Sequence, residues 1–554
     1  MAKKRKPAAP KSEGSRGASE AQAAAGKAVS MDELTLRDVM LRAEMPDKPS
    51  FKITKYPVSP EQFKKMKLEA RKVDSKKKAL AATDQATGDS DDEAKEVKEV
   101  SMEMPEDGFF ASGPSAMAPS GLITFDALGD TGYRPPDCTL AVGKNDVVVG
   151  VNVDMAGYSK TGTLKFKWGG FTSLFQNVLP SGARLFDPKM IYDHYSDRYV
   201  VVAAALRDSP NGSWIMLGVS QTGNPGGSYW VWALDATKNG KTASANWADF
   251  PMLGFDTQGI YITTNQFQFA GSGSFQYSKV RILSKKEVYA GGVGASHYIK
   301  WYDFWNMKDG NGGEAFTLQP CAHYRGTGGN PDAYLINCGW AAGNFLTLWT
   351  LKDPIGHWSG RTPALNKSTI TCRAYDLPPD ADQPSSTVNI ETNDNRLLSA
   401  AFQNAGGVQR IWTAHTSKGS LSGDTSARSV IQWYEIDVPT KKVIQQNYYG
   451  AKGKYYFFPA IHTDINRNAY LIFGRSSSSE FGSLRQTGRR ATDPTHDLQN
   501  SSLIKAGESA YTGQRWGDYF GICRDGSDPA RIWGYGEYAD SGGRWGTYVY
   551  SAKY

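Results

Sequence analysis

The chain has 554 residues, of which 40% are hydrophobic and 12% aromatic, and its 63 basic and 56 acidic side chains leave a net charge of +7. So small an excess over such a length argues against a nucleic-acid binder acting through its whole surface. No run of about 18 apolar residues occurs, which excludes a membrane-spanning helix. The 58 glycines, 28 tyrosines and 15 tryptophans instead favour turn-rich β structure with aromatic strands.

Residues 1–118 read as a disordered, charged tail with short helical patches. They are rich in Ala, Lys, Glu, Asp, Ser and Pro and bury too little apolar area to offset their ordering entropy. The basic run Lys3–Lys6 is the one patch suited to a polyanion such as nucleic acid. No apolar segment of signal-peptide type follows it, so the expected location is cytoplasmic or reached by a non-classical export route. One helix is predicted over Met31–Met45, with Leu34, Leu36, Val39, Met40 and Leu41 in an amphipathic pattern, and a second over Ser59–Val73, opened by Ser59-Pro60-Glu61-Gln62. Such helices suit a docking or delivery segment that folds on a partner.

Residues 119–554 have a different texture. Short runs of β-formers alternate with Gly, Asn, Asp and Pro, and one start recurs: an Asp or Pro, a short strand, a polar turn, then a second strand. It begins at Pro136-Asp137, Asp187-Pro188, Asp249-Phe250-Pro251, Pro320, Asn393-Asp394, Phe458-Pro459 and Asp518-Tyr519. Starts spaced some tens of residues apart suit four-stranded blades, so the expected fold is an all-β, seven-bladed β-propeller, with six or eight blades as the neighbouring solutions.

Few residues stand out from this repeat. Asp137, Asp187, Asp249 and Asp518 occupy equivalent positions and would converge on one rim, where a ring of carboxylates suits Ca²⁺, although the same repetition also fits a repeated turn or inter-blade bond. No motif requires a cofactor. Trp301, Tyr302 and Trp305 form a dense aromatic cluster that would either stack on a ligand or fill a core. The five cysteines lack metal-type spacing and read as buried thiols, with Cys321 and Cys338 close enough in sequence for a loop staple. The seven histidines are dispersed.

The C-terminal segments Arg515-Trp516-Gly517-Asp518-Tyr519, Trp533-Gly534-Tyr535-Gly536-Glu537-Tyr538 and Arg544-Trp545-Gly546-Thr547, with Asp187-Pro188-Lys189-Met190-Ile191-Tyr192-Asp193 and Asp394-Asn395-Arg396-Leu397, resemble bacterial β-propeller proteins of the sialidase-like or BNR-repeat-like type. The chain departs from that family in lacking a clean Ser-x-Asp-x-Gly-x-x-Trp box; Asp540–Trp545 is a partial echo. A sialidase-type site, as the resemblance implies it, would draw an arginine clamp from Arg396, Arg410, Arg515 and Arg544. It would add Glu391 or Glu537 with Tyr538, and Asp137 or Asp187 as the acid. The expectation from the residues themselves is a binding module that recognises a protein or glycan through one rim, with a sialidase-like glycoside hydrolase, or an effector or cargo of a bacterial delivery system, as the alternatives.

Overall fold

In the computed structural model, which describes residues 18–19, 23–29, 55–72, 118–271, 273–324, 332–420 and 424–554, each recurring start opens an antiparallel meander. Asp or Phe stands at the turn into the first strand with a positive φ: Asp137 at 54°, Asp187 at 51°, Phe250 at 54° and Phe458 at 52°. Pro188, Pro251 and Pro459 follow three of them, where the ladder shifts register opposite Val202–Ala204, at Asp249–Met252 and at Phe457–Ala460. A bulge is where a strand accepts a residue that has no N–H to donate.

At four of the starts, one residue then hands its own N–H to a neighbouring meander. Asp187 donates to Asn152 Oδ1 at 2.8 Å, Phe250 to Asp187 Oδ2 at 3.3 Å, Phe458 to Thr416 Oγ1 at 3.1 Å and Asp518 to Asp137 Oδ1 at 2.9 Å. Two of the repeated Asp residues, Asp137 and Asp187, therefore have a structural task, each accepting a backbone donor that would otherwise be buried without a partner.

The meanders begin with Thr139–Val142, Arg184–Asp193, Asn246–Phe255, Gln319–Pro320, Ser399–Ala405, Lys454–Thr463 and Gly521–Arg524. Each of these first strands lies against the next, and the last returns to the first. Ser120–Gly129 closes the ring by pairing with the C-terminal strand Trp545–Lys553, so that the last meander takes its outer strand from the start of the propeller. The result is an all-β propeller.

Hydrogen bonding corrects the expectation of seven separate blades. Among the described residues, five sheets of four or five strands stand alone. The meanders starting at Asn246 and Ser399 are instead joined in one 11-stranded sheet. The physical cause is a break at Cys321. Gln319–Pro320 pairs with Leu335–Ile336, while Ala322–Tyr324 swings across to pair in parallel with Phe255 and with Ala401–Gln403.

Where the tail is described, it is seated on the propeller rather than free. Gly26–Val29 adds an outer strand to Tyr229–Trp232, and Ala18–Ser19 and Ala23–Ala24 pair with Asp303–Phe304 and Ile299–Lys300. The predicted second helix forms over Pro60–Ala70, with Pro60 in its first turn and the Ser59 hydroxyl accepting from the Gln62 N–H at 3.2 Å. The helix predicted over Met31–Met45 lies outside the described residues. All five cysteines are free and buried, so Cys321 and Cys338 form no staple. No helix among the described residues is long and apolar enough to cross a membrane.

Candidate functional site

The bulged starts place Asp137, Asp187, Asp249 and Asp518 around one mouth of the propeller channel. Asp137, Asp187 and Asp518 bring carboxylate oxygens within 4.8 Å of one another. Asp249 joins Asp518, Phe250, Asn393, Arg396 and Arg515 in lining a small cavity beside them. The mouth also receives two residues from the tail, Lys55 and Tyr56.

Lys55 Nζ lies 3.6 Å from Asp518 Oδ2. Burial and Arg515 act to lower its pKa, but Asp518, Asp187 and Asp249 together outweigh them and hold it above its ordinary value. The Tyr56 hydroxyl donates to Glu391 Oε1 at 2.8 Å, and the Tyr56 ring stacks on Phe63 of the helix with centroids 3.7 Å apart. Lys55 O accepts from Arg396 Nη2 at 3.3 Å. The helix is anchored behind them by the buried Lys67, whose Nζ donates to Pro378 O, Thr392 Oγ1 and Asn393 O. Arg71 pairs with Asp382, and its carbonyl accepts from the Ala427 N–H at 3.0 Å.

The arginines of the mouth are engaged by the chain's own acids. Arg396 forms a two-pronged pair with Asp394, both bonds 2.7 Å, and its flat face lies 4.6 Å from the Phe250 ring centroid and 4.8 Å from that of Phe316. Arg515 pairs with Asp518 and lies 4.0 Å from Glu391 Oε2. Asp518 is held at about 2: burial acts to raise it, and Arg515, Lys55 and Arg396 outweigh burial.

Asp249 is in the opposite condition. Burial and then the Asp187 charge push its carboxyl up to about 7, against the pull of Lys55 and Arg396, and its Oδ1 has no hydrogen-bond partner among the described residues. An ordinary Asp titrates near 3.9 in an unfolded chain. The folded state therefore holds this proton more tightly, so the stability it contributes is full below about 3.9 and lost as pH rises through about 7. Asp249→Asn, which cannot ionise, should gain thermal stability relative to the wild type between pH 5 and pH 8. Melting curves of both proteins across that range test this, and a difference independent of pH would refute it.

The other residues singled out from the sequence lie elsewhere or play different parts. Arg544 is exposed and pairs with Asp540 in the turn 540–544, and Arg410 pairs with Asp437. Neither lines the mouth cavity. Glu537 is fully buried beneath the mouth, where it accepts from the Gly517 N–H and burial holds its carboxyl well above the usual range. Tyr538 donates to Asp126 Oδ1 at 3.0 Å, so the tyrosine that meets a glutamate at the mouth is Tyr56, with Glu391. Trp301 and Tyr302 are buried, and Trp301 lies beneath Arg281 at 4.4 Å; with the half-buried Trp305 they belong to a strand whose edge the tail covers. This cluster is core rather than an exposed stacking surface.

For Ca²⁺, the chemistry of the donor set is suitable, since three carboxylates face one another. Several of their oxygens already accept hydrogen bonds, from Asn152 Nδ2 and the Asp518 N–H at Asp137, and from the Phe250 N–H at Asp187. Lys55 adds a positive charge beside the same group. Lys55, Tyr56 and Lys67 were not legible as site residues from sequence; the only signal near them was the Ser-Pro-Glu-Gln helix start.

Fold and site together define an all-β propeller whose channel mouth holds a segment of its own chain. No protein-family model matches the chain, and a comparison with curated proteins finds no relative. Among solved structures it is similar to a protein of unknown function from Dyadobacter fermentans, at 11% identity and a TM-score of 0.35 over 68% of this chain and 100% of that one. It is similar to a Trypanosoma rangeli sialidase in complex with sialic acid at 10% identity and a TM-score of 0.34, over 72% of this chain and 57% of the sialidase. It is also similar to a Fusarium graminearum α-L-arabinofuranosidase bound to an iminosugar inhibitor at 10% identity and a TM-score of 0.28, over 64% of this chain and 89% of that one.

Proposed function

We propose that the protein is a binding module that recognises a protein segment at the mouth of its propeller channel. The observation that carries this reading is the seating of Lys55 and Tyr56 among Asp518, Glu391, Arg396 and Arg515. A mouth that fits an extended polypeptide, with an acidic pocket for one side chain and a bonded place for the next, has the parts of a peptide site.

A sialidase-like hydrolase is the second reading. It calls for arginine forks directed at a substrate carboxylate, whereas the forks of Arg396, Arg515 and Arg544 are taken by Asp394, Asp518 and Asp540. A panel of fluorogenic glycosides, an α-sialoside among them, separates the two. The binding reading expects no turnover above that of the Arg515→Met variant. Turnover that this substitution abolishes would refute it.

A further inference from the structure

The charges of the mouth do not balance without Lys55. Arg396 is matched by Asp394, and Arg515 by Asp518 with Glu391 close by. Asp187 is left over, with Asp249 and Asp137 beside it, whose carboxyls burial and the neighbouring acids hold above the usual range. Against them the chain sets Lys189, whose ammonium lies 3.4 Å from the Tyr519 ring centroid and which burial drives down to about 7, so it is a weak counter-charge near neutrality. Among the described residues of the mouth, Lys55 is the remaining cation, and it comes from outside the propeller. With Lys55 withdrawn, the mouth keeps more buried carboxyl groups than cations, a place whose geometry suits another cation.

The segment that supplies Lys55 is built to leave. It lies on the propeller through a small apolar cluster of Tyr56, Phe63 and Leu377 with Val58, Met66 and Trp340, separate from the large cores between blades. The helix has 11 residues, and a helix so short is marginal in water without its dock. Its other contacts are polar: the Lys67 bonds, the Arg71–Asp382 pair and the Tyr56–Glu391 bond. Lys55 itself keeps 29% of its side chain exposed. Such a segment can dissociate as a unit while the blades stay folded.

We infer that Lys55–Ala70 is a cis-bound stand-in, and that the mouth takes in its place a protein segment from a partner that presents a lysine followed by an aromatic residue. The lysine ammonium fills the place beside Asp518 in the cavity that Asp249 also lines. The aromatic residue lies against Arg396, whose guanidinium is 5.8 Å from the Tyr56 ring centroid, and a tyrosine hydroxyl there bonds Glu391. The inference rests on the binding-module reading and adds the class of ligand and the device that masks its site.

The test uses the full chain. A tethered occupant competes at an effective concentration on the order of 1 mM, so the mouth must first be opened by Lys55→Ala, Tyr56→Ala and Phe63→Ala together. The probe is a fluorescent synthetic peptide of residues 51–72, and the control peptide carries Lys55→Ala and Tyr56→Ala. Fluorescence anisotropy should show saturable binding of the probe to the opened chain and binding at least about tenfold weaker to the wild type, because only the open fraction is competent. The control peptide should bind weakly to both. Should the triple variant fail to fold, the single variant Lys55→Ala, which keeps the apolar contacts, is expected to bind the probe more tightly than the wild type does. No saturable binding to either variant, or equal binding of probe and control, overturns the inference and leaves the binding-module reading standing for another ligand. Turnover of an α-sialoside by the opened chain, abolished by adding Arg515→Met, would overturn the binding-module reading instead.

Discussion

Replacing Arg396 with methionine is expected to lower the unfolding free energy by about 3–5 kcal/mol, the usual cost of removing one partner from a buried ion pair. The side chains of Arg396 and Asp394 keep only 4% and 0% of their surface exposed. Burial acts to lower the guanidinium pKa, and the adjacent Asp394 more than offsets it, so Arg396 stays charged in the fold. Asp394 Oδ1 accepts from Arg396 Nε at 2.7 Å and from the Arg396 N–H at 3.0 Å, and Oδ2 accepts from Trp340 Nε1 at 2.9 Å as well as from Nη2. Methionine retains apolar contact with Phe250 and Phe316 but leaves the carboxylate charge without its counter-ion. Adding Asp394→Asn should recover part of the loss, because the amide oxygen can still accept while the charge is gone. Urea unfolding followed by tryptophan fluorescence measures both variants. A loss under about 1 kcal/mol, within the range of exposed pairs, or a double variant no better than the single one, would show that the pair is not what holds this part of the mouth.

The strand starts were legible because local turn chemistry creates them. Asp187-Pro188, Phe250-Pro251 and Phe458-Pro459 mark bulges whose left-handed residue and missing N–H belong to one short stretch of chain. The same locality explains why the Asp residues signalled a mouth but not a chemistry: Asp137 and Asp187 each answer a backbone N–H of a neighbouring meander. Pairing between distant strands leaves no such mark. Nothing near Cys321 announces that Ala322–Tyr324 will bridge Phe255 and Ala401–Gln403, because those partners lie far off in sequence. The sequence around Trp301 and Tyr302 left a stacking surface and a core both open, and their burial in the strand Ile299–Trp305 makes them core, at a sheet edge that the chain's own tail pairs with. The strands Ala18–Ser19 and Ala23–Ala24 cover that edge, from a tail whose composition promised no packing. Lys67 gave no signal for a related reason. A lysine on a polar helix reads as solvated, and only the tertiary fold brings two carbonyls and a hydroxyl to its ammonium.

That lysine carries the second large effect, Lys67→Met. An ammonium has three N–H donors, and here they meet Pro378 O at 2.6 Å, Asn393 O at 2.7 Å and Thr392 Oγ1 at 2.8 Å, with Asp380 Oδ1 at 3.0 Å as the counter-charge. The residue is 4% exposed. Methionine preserves most of the stem's packing and removes every polar contact, leaving two carbonyls facing an apolar side chain under the helix. Loss of a buried, fully bonded ammonium costs about 3 kcal/mol or more. Because an 11-residue helix has little stability of its own, the cost should fall on docking rather than on the blades. Hydrogen exchange should therefore show protection over residues 60–70 dropping by about a hundredfold, with Tyr56 and Lys55 released as well. The strands Lys454–Thr463 and Ile532–Ala539 should keep their wild-type rates. If protection over 60–70 were unchanged, Lys67 would not be the anchor; if the strands lost protection equally, the helix would be an integral part of the propeller and not a separable occupant of its mouth.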